Sequence, residues 1–353
     1  MARGSGTVKI LVRATNWVGD AIMALPALHS VRRRFPEAHI AILALPYVAE
    51  IYQGQGVADE FIAYDRKGAH HGIGGREKLA AALRAKNFDT ALLLQNAFDA
   101  AWLAWRAGIP ERLGYNRDGR QLLLTRAIPV PDNGDTPPHE KFYYLELLRR
   151  LGWIDALPDV PEISLQVTER QARDAEAKLQ SLGATPGAMR IAVGAGAAYG
   201  SAKCWPPERF AAALNQVWRE RGAEILLFGT AAEGDVSAAI QAGLDRPALD
   251  LTGKTSIAEL PALLSRCAAF AGNDSGAMHV AAAAGLPVVG VFGPTDPFGT
   301  APVTPRAAIV QERPYCSPCF LRRCPTDHRC MTAVAPERVA GALLQALAEV
   351  RRD

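Results

Sequence analysis

The sequence predicts an α/β protein in which two doubly wound parallel sheets follow one another along the chain. Short, almost wholly apolar runs alternate with helix-length segments through both halves, as strands buried on both faces alternate with crossover helices. The alternation starts again near Arg190, after a charged helical segment. A chain of 353 residues is also long enough for about two domains, each with its own core. We therefore expect two Rossmann-like domains facing a cleft.

In the first half, each predicted strand is an apolar run that ends in a polar turn, and the predicted helices stop at glycine or proline. The expected strands cover residues 8–13, 39–45, 61–64 and 90–94. The expected helices cover residues 20–35, 46–53, 77–86, 98–107 and 139–151. Segments 67–76 and 126–138 are rich in glycine or proline and are predicted to be loops, and 158–167 is predicted to be extended.

The second half repeats this pattern after a charged helix that Thr168 caps and Gly183 stops. The expected strands cover residues 191–196, 224–229, 249–253, 270–272, 288–292 and 307–310. The expected helices cover residues 207–221, 233–242, 257–265, 277–284 and 336–352. The predicted divisions are an N-terminal domain at 1–167, a linker helix at 168–185, a C-terminal domain at 186–335 and a final helix at 336–353 that packs back on the body.

The composition is that of an ordinary globular protein, with 49% hydrophobic and 21% charged residues. The formal net charge of +3 is small for this length and counts against a protein dedicated to nucleic-acid binding. No run of about 18 apolar residues predicts a transmembrane segment, and the N-terminus lacks the apolar core of a signal peptide. We therefore expect a cytoplasmic protein.

Four of the six cysteines are concentrated in one segment, which is too few and too local for a disulfide scaffold. They are Cys316, Cys319, Cys324 and Cys330. The first two have the spacing of a zinc half-site, but the second two are spaced unlike those of a zinc ribbon. Reduced structural thiols are the favoured interpretation, and a zinc site at these four cysteines is the alternative.

The stretch 270–297 reads as strand, polar turn, helix and strand. A helix that starts at the carboxyl end of a parallel strand favours anions, because its first N–H groups are unpaired and its dipole is positive there. The turn contains Asp274, Ser275 and Gly276, and His279 follows about one helical turn later. The same residues equally allow an ordinary βαβ connection with a capped helix.

Two more turns in the second half follow predicted strands. The first contains Gly196 and ends near Lys203, a point charge that suits a diphosphate but that a solvated loop would also explain. The second contains Glu233, which either caps its own helix or accepts hydrogen bonds from a ribose. In the first half, Asp20 follows the first strand and is either a helix-capping carboxylate or a general base. A base together with anion-binding turns suits group transfer from a nucleotide diphosphate.

Five motifs, in the order in which they occur here, resemble the ADP-heptose:lipopolysaccharide heptosyltransferase family over nearly the whole chain, and most nearly its heptosyltransferase II branch. They are NWVGDAIMALPAL, LQNAFDAAWLAWRAGIPERLGYNRDGR, GAGAAYGSAKCWPPERF, GNDSGAMHVAAAAGLPVVGVFGPTDP and CSPCFLRRCP. The resemblance implies a GT-B fold and inverting transfer of L-glycero-D-manno-heptose from ADP-heptose to the heptosyl-Kdo2-lipid A inner core. The partners expected from it are ADP-heptose and this lipid A-core acceptor, through which the protein would contact the inner face of the inner membrane.

The resemblance also implies roles for individual residues. Asp20 matches the catalytic base and Lys203 the diphosphate-binding lysine, whereas Glu233 matches the acidic residue at the ribose. The remaining matches to the donor loops are Gly196, Asp274, Ser275, Gly276 and His279. Ala195 and Ala198 depart from the branch, because proline and glutamate are usual at those positions.

The acceptor would be strongly anionic, so we expect Asn96, Arg117 and Arg120 in the first domain to bind it. Arg117 and Arg120 form a basic cluster with Arg112. The alternative is that this cluster lies in a solvated loop and binds nothing. No DxD metal-binding pair is apparent, so we expect no required cofactor and no metal ligand in the reaction. One alternative function is a heptosyltransferase that acts on another core acceptor, and a second is a non-catalytic nucleotide-sugar-binding module of the same fold. A metal-dependent nucleic-acid-binding protein is a third, which the balanced charge disfavours.

Overall fold

The computed structural model describes residues 7–350, with side chains as far as 349. The chain divides into two compact units, the first ending at Asp159 and the second beginning at Val160. Each unit contains one six-stranded sheet whose neighbouring strands all pair in parallel. The predicted α/β class with two Rossmann-like domains is therefore confirmed.

The elements of the first unit alternate between strand and helix over most of its length. Its strands are β1 (Lys9–Arg13), β2 (His39–Ala44), β3 (Glu60–Ala63), β4 (Thr90–Leu93), β5 (Glu111–Tyr115) and β6 (Arg126–Ile128). Its helices are α1 (Val18–Arg34), α2 (Pro46–Tyr52), α3 (Gly72–Ala85), α4 (Phe98–Arg106) and α5 (Glu140–Arg150).

The strand order in the first sheet is β3-β2-β1-β4-β5-β6. The chain therefore winds outward in one direction from β1 to β3 and in the other direction from β4 to β6. Connections that leave β1 and β4 diverge, and a crevice opens between them at the carboxyl ends of the strands. Buried leucines on the strands and on α3 and α4 hold one face of the sheet, among them Leu11, Leu43, Leu93, Leu83 and Leu103.

The second unit begins its sheet after one long helix. Its strands are β7 (Arg190–Gly194), β8 (Glu224–Leu227), β9 (Leu249–Asp250), β10 (Ala269–Asn273), β11 (Val288–Phe292) and β12 (Ala307–Gln311). Its helices are α6 (Glu169–Ser181), α7 (Pro207–Arg221), α8 (Gly234–Gly243), α9 (Leu260–Leu264), α10 (Gly276–Ala283), α11 (Pro297–Thr300), α12 (Arg329–Thr332) and α13 (Pro336–Val350).

The strand order in the second sheet, β12-β11-β10-β7-β8-β9, repeats that of the first when it is read from the other edge. The switch point therefore falls between β7 and β10. Glycine is required where these two strands meet, because a side chain at Gly272 would place its Cβ 2.5 Å from the Gly194 carbonyl oxygen. Within residues 7–350, no helix is both long and apolar enough to cross a bilayer.

Several details differ from the sequence prediction. The segment predicted as a loop at 126–138 begins with strand β6, and β5 runs through the motif that we interpreted only as a basic cluster. Helix α3 begins at Gly72, inside the predicted loop at 67–76. Strands β5 and β6 are short and polar. They are therefore defined by their pairing in the sheet and not by a local apolar pattern.

The helix expected as a linker, α6, has the predicted cap, since Thr168 and Gln171 form a capping box. This helix packs on α9, and α13 packs on α7, all within the second unit. Arg190 at the start of β7 joins α6 to the sheet by donating to both carboxylate oxygens of Glu176, at 2.7 and 2.9 Å. The hydrogen bonds from Arg190 hold the pKa of Glu176 at about 2.

The Glu176–Arg190 pair predicts how the stability of the second unit depends on pH. Because the pKa of Glu176 is lowered from 4.5 to about 2 by folding, its stabilisation is complete above pH 4.5 and is lost as the pH falls toward 2. We expect Glu176→Gln to lower the free energy of unfolding at pH 7 by about 2 kcal/mol. Urea unfolding of both proteins between pH 7 and pH 3 measures this difference, which should shrink toward the acid end.

Asp174→Asn is the matched control, because Asp174 lies in the middle of the same helix with a side chain that is 71% exposed. Its unfolding should follow that of the wild type at every pH. A difference between Glu176→Gln and the wild type that stays constant over this pH range would contradict the prediction.

Candidate active site

Four of the residues singled out from the sequence lie at the switch points of the two sheets. In the first unit, Asp20 follows β1 and Asn96 follows β4, and these strands are neighbours. In the second unit, Lys203 follows β7 and Asp274 follows β10, which are also neighbours. Ligands of open α/β sheets bind in the crevice at such points.

An open cleft of about 250 Å³ lies at the switch point of the first unit. Polar side chains and aromatic rings dominate its lining, which suits a polar ligand with several hydroxyl groups. The lining residues are Thr15, Trp17, Asp20, Leu94, Gln95, Asn96, Arg117, Glu140, Tyr143 and Tyr144.

Asp20 occupies the first turn of α1, two positions after the first helical residue, and Trp17 rather than Asp20 is the N-cap. A carboxylate is favoured in this turn by the helix dipole. Burial, and after it the charge of Asp20, raise the pKa of Tyr144 well above its usual value. Burial and Asp20 also raise the pKa of Tyr52. Asp20 is thus half-buried beside neutral phenols, a setting in which a carboxylate can act as a general base.

Asn96 lies in the middle of a hydrogen-bonded chain at the edge of the cleft. Its amide nitrogen donates to the Tyr143 hydroxyl at 2.8 Å, and its amide oxygen accepts from Arg120 Nη2 at 3.0 Å. Burial raises the pKa of Tyr143 in spite of opposing hydrogen bonds from Asn96 and Arg117. The Tyr143 ring also packs against that of Tyr115, with centroids 4.5 Å apart.

Arg120 does not lie where a direct contact with an acceptor would require it. Its side chain is fully buried, and its guanidinium donates to the carbonyl oxygens of Tyr115, at 2.9 Å, and of Gln95. Burial lowers the pKa of Arg120 to about 10, so it remains charged at neutral pH. The expected direct contact with an acceptor is therefore not supported by the burial of Arg120, whose Nη2 donates instead to the Asn96 amide oxygen.

Arg117 is the exposed arginine of the cluster and lines the cleft directly. Arg112, by contrast, donates to the carbonyl oxygens of Leu123 and Ile109, at 2.6 and 2.5 Å. Glu140, at the first position of α5, adds a second carboxyl group to the cleft, and burial raises its pKa although Arg117 opposes the shift. The sequence prediction missed Glu140 and Tyr143, because nothing local distinguishes them from other residues of an amphipathic helix.

In the second unit, Lys203 and Asp274 form a buried ion pair. Lys203 Nζ lies 2.5 Å from Asp274 Oδ2, and the two side chains are 12% and 5% exposed. The Thr295 hydroxyl donates to the same oxygen at 2.7 Å. Lys203 also lies over the Tyr199 ring, 4.8 Å from its centroid. Thr295 was missed in the sequence, although it stands in the quoted motif after the fifth strand of this sheet.

Two further side chains join the loops at this switch point. Asn273 accepts from the Trp205 backbone N–H at 3.0 Å and donates to the Ala195 carbonyl oxygen at 2.5 Å. Glu233 caps its own turn, since one carboxylate oxygen accepts from the Thr230 N–H and hydroxyl at 2.7 and 2.9 Å. The other oxygen faces Gly196, where an added Cβ would lie 1.7 Å away. Gly196 therefore allows the Glu233 carboxylate to lie directly against the first loop.

The start of α10 adjoins the Lys203–Asp274 pair in sequence and in space. Ser275 is the N-cap residue, and its hydroxyl oxygen is buried without a hydrogen-bond partner among residues 7–350. Gly276 is the first helical residue. His279, predicted to reach a ligand from one turn further on, is 4% exposed. An orphaned hydroxyl beside a positive helix end is the kind of group that a bound anion satisfies.

The four clustered cysteines are free thiols, exposed at Cys316 and Cys319 and buried at Cys330. Burial, followed by the neighbouring thiols, raises the pKa of Cys330 to about 11. In the described part of the chain, no three or more histidine, cysteine, aspartate or glutamate side chains are arranged to hold a metal ion.

Comparisons with known proteins identify the family of the chain. Residues 76–329 match glycosyltransferase family 9 (heptosyltransferase), a range that includes Lys203 and Asp274 but not Asp20. The chain is 30% identical over 310 residues to lipopolysaccharide heptosyltransferase 2 of Salmonella typhimurium, a match that covers 86% of this chain and 88% of that protein. It is 28% identical over 312 residues to lipooligosaccharide heptosyltransferase 2 of Haemophilus influenzae, with coverages of 86% and 88%.

Two solved structures are similar over almost the full chain. The ADP-heptose lps heptosyltransferase II of E. coli superimposes with a TM-score of 0.83 at 28% identity, covering 97% of this chain and 99% of that one. A family 9 glycosyl transferase of Veillonella parvula gives a TM-score of 0.85 at 24% identity, covering 99% and 100%, and is similar in fold. The chain therefore belongs to glycosyltransferase family 9, the heptosyltransferases, and is a glycosyltransferase.

Proposed function

We propose that this enzyme transfers L-glycero-D-manno-heptose from ADP-heptose to the heptosyl-Kdo2-lipid A inner core of lipopolysaccharide, with inversion at the anomeric carbon. The observation that carries the proposal is the buried Lys203–Asp274 pair beside the unpartnered Ser275 hydroxyl at the start of α10. The similar heptosyltransferases supply the sugar and the class of acceptor.

The donor diphosphate binds at the switch point of the second sheet. Lys203 supplies the positive charge, and the α10 N-terminus supplies backbone N–H groups at Gly276 together with the Ser275 hydroxyl. A carboxylate that faced the diphosphate would repel it. Asp274 contacts Lys203 instead, and so orients the lysine toward the diphosphate. Glu233, fixed against Gly196, accepts hydrogen bonds from the ribose.

The reaction is a single displacement. The oxygen of an acceptor hydroxyl forms a bond to the anomeric carbon of heptose while the bond from that carbon to the diphosphate oxygen breaks. Asp20 accepts the hydroxyl proton, and ADP leaves with the electron pair of the broken bond. Lys203 and the α10 N-terminus stabilise the negative charge that develops on the departing diphosphate. Nothing in these steps assigns a role to a metal or a cofactor.

The acceptor binds in the cleft of the first unit. Arg117 is an exposed cation in its wall and suits the phosphates and carboxylates of a lipid A core, while Asn96 and Tyr143 offer hydrogen bonds to its sugars. Because this acceptor carries a lipid anchor, the enzyme works in the cytoplasm at the inner face of the inner membrane, in contact with it through the acceptor.

A transfer assay tests the proposal directly. Incubation of the wild type with ADP-heptose and heptosyl-Kdo2-lipid A should release ADP and raise the mass of the acceptor by one heptose. The proton spectrum of the product gives the anomeric configuration, which should be inverted. Binding of ADP-heptose without transfer to this or other truncated core acceptors would refute catalysis and favour a nucleotide-sugar-binding module.

Asp20→Asn tests the general base. The amide keeps the shape and burial of Asp20 but cannot accept a proton, so heptose transfer should be lost while ADP-heptose affinity and melting temperature stay near those of the wild type. Asp118→Asn is the control: Asp118 is 54% exposed beside Arg117, and asparagine tolerates its positive φ of 55°. Turnover by Asp20→Asn close to that of the wild type would exclude Asp20 as the base.

Lys203→Ala tests the leaving-group cation. Its removal should lower kcat/KM on the order of 100-fold, as the loss of other preorganised groups that stabilise developing charge does, and should weaken ADP binding. Lys254→Ala is matched to it, because Lys254 is an exposed lysine of the same unit whose Nζ donates to the Asp250 carbonyl oxygen. Steady-state kinetics with varied ADP-heptose should separate the two variants, and equal losses in both would argue against a specific role for Lys203.

A further inference from the structure

The cysteine-rich segment 316–330 takes no part in the proposed chemistry, yet it contacts the turn that carries Lys203. The Ala202 N–H donates to the Arg322 carbonyl oxygen at 3.1 Å, and His328 Nε2 lies 2.7 Å from the Ala202 carbonyl oxygen. Both backbone polar groups of the residue before Lys203 are therefore bound to this segment. The Tyr199 hydroxyl adds a third hydrogen bond, to the Phe320 carbonyl oxygen at 2.7 Å.

The fit between the segment and this turn is close. A Cβ at Gly200 would lie 2.2 Å from the Arg322 carbonyl oxygen, so the two backbones touch. Lys203 ends a single 3₁₀ turn, Ser201–Lys203, and so short a turn has little stability of its own. The hydrogen bonds from segment 316–330 therefore contribute substantially to where the Lys203 backbone lies.

The other end of the same segment holds the loop that carries Thr295. The Ser317 hydroxyl donates to the Gly293 carbonyl oxygen at 2.6 Å. The N–H groups of Cys319 and Phe320 both donate to the Pro294 carbonyl oxygen, at 3.0 and 2.8 Å. Thr295 follows directly and donates to Asp274, so the segment braces both members of the ion pair.

We propose that segment 316–330 is a brace that sets Lys203 against Asp274 for diphosphate binding, and that His328 is its main positioning residue. The inference rests on the proposed function only in assigning Lys203 to the donor. His328 is suited to this role because its own place is fixed: its carbonyl oxygen accepts from the N–H groups of Met331 and Thr332 at the start of α12. The adjoining Cys330 is buried and anchors the end of the segment.

The backbone of His328 allows a sharp pair of substitutions. Its φ of 57° lies in the left-handed region, which asparagine tolerates well. His328→Asn therefore keeps the backbone but places its amide too far from Ala202, whereas the longer amide of His328→Gln reaches as far as Nε2 does. Arg323→Gln is the control, because Arg323 is an exposed residue of the same segment.

The measurements are ADP affinity by calorimetry, KM for ADP-heptose and for the acceptor, and melting temperature. We expect His328→Asn to weaken ADP binding and raise the donor KM about tenfold, the order of magnitude of one lost hydrogen bond, with the acceptor KM unchanged. His328→Gln should restore most of the affinity, and Arg323→Gln should match the wild type. Tyr199→Phe, which removes one hydroxyl and keeps the ring, should show a smaller loss in the same direction and serves if His328→Asn does not fold.

A double-mutant cycle with Lys203→Ala decides whether His328 influences ADP affinity by positioning Lys203. If it does, His328→Asn causes little further loss of ADP affinity once Lys203 is absent. Wild-type affinity in both His328→Asn and Tyr199→Phe would overturn the proposal, and so would an undiminished effect in the Lys203→Ala background. ADP binding could depend on His328 as expected while the wild type transfers no heptose. That result would refute the proposed function and still support the positioning role of segment 316–330.

Discussion

Parallel pairing of β7 with β8 on one side and β10 on the other is the constraint on which the second unit depends. It places the carboxyl ends of three strands side by side, so the turns that follow them meet although they are far apart in sequence. Lys203 and Asp274 are 71 residues apart and yet share an ion pair. The glycines of β7 and β10 make the pairing possible, because a side chain at Gly272 would strike the backbone of its neighbour.

The proposed binding of a diphosphate accounts for the ion pair better than protein stability does. Burying two charges removes them from water, and the attraction between them seldom returns much more than that cost. Lys203 is held by Asp274 and by the Tyr199 ring, so under the proposed function its charge is already oriented when a diphosphate binds. Preorganised charge of this kind needs no rearrangement as the leaving group develops its own charge. Thr295 completes the arrangement by donating to the carboxylate that orients the lysine.

The first unit has the same strand order, but the side chains at its switch point differ from those of the second unit. Asp20 lies among phenols whose pKa values are raised, so the wall of this cleft carries a carboxylate and neutral hydroxyls. Arg120 contributes from below the surface by holding Asn96, which in turn donates to Tyr143. The same strand order thus carries a half-buried carboxylate at one switch point and a lysine–aspartate pair at the other, so the difference comes from the side chains that follow the strands and not from the fold.

The sequence by itself determined the elements and the turns that carry chemistry, because apolar runs, helix stops and short polar turns are local signals. Asp20, Lys203 and the turn at Asp274 could be singled out in this way. Only the tertiary structure decided the strand order, the short polar strands β5 and β6, the pairing of Lys203 with Asp274, and the burial of Arg120. These depend on contacts between distant segments: the arginine that looked like a surface cation is enclosed by backbone carbonyl groups of the first unit, and no local pattern encodes that.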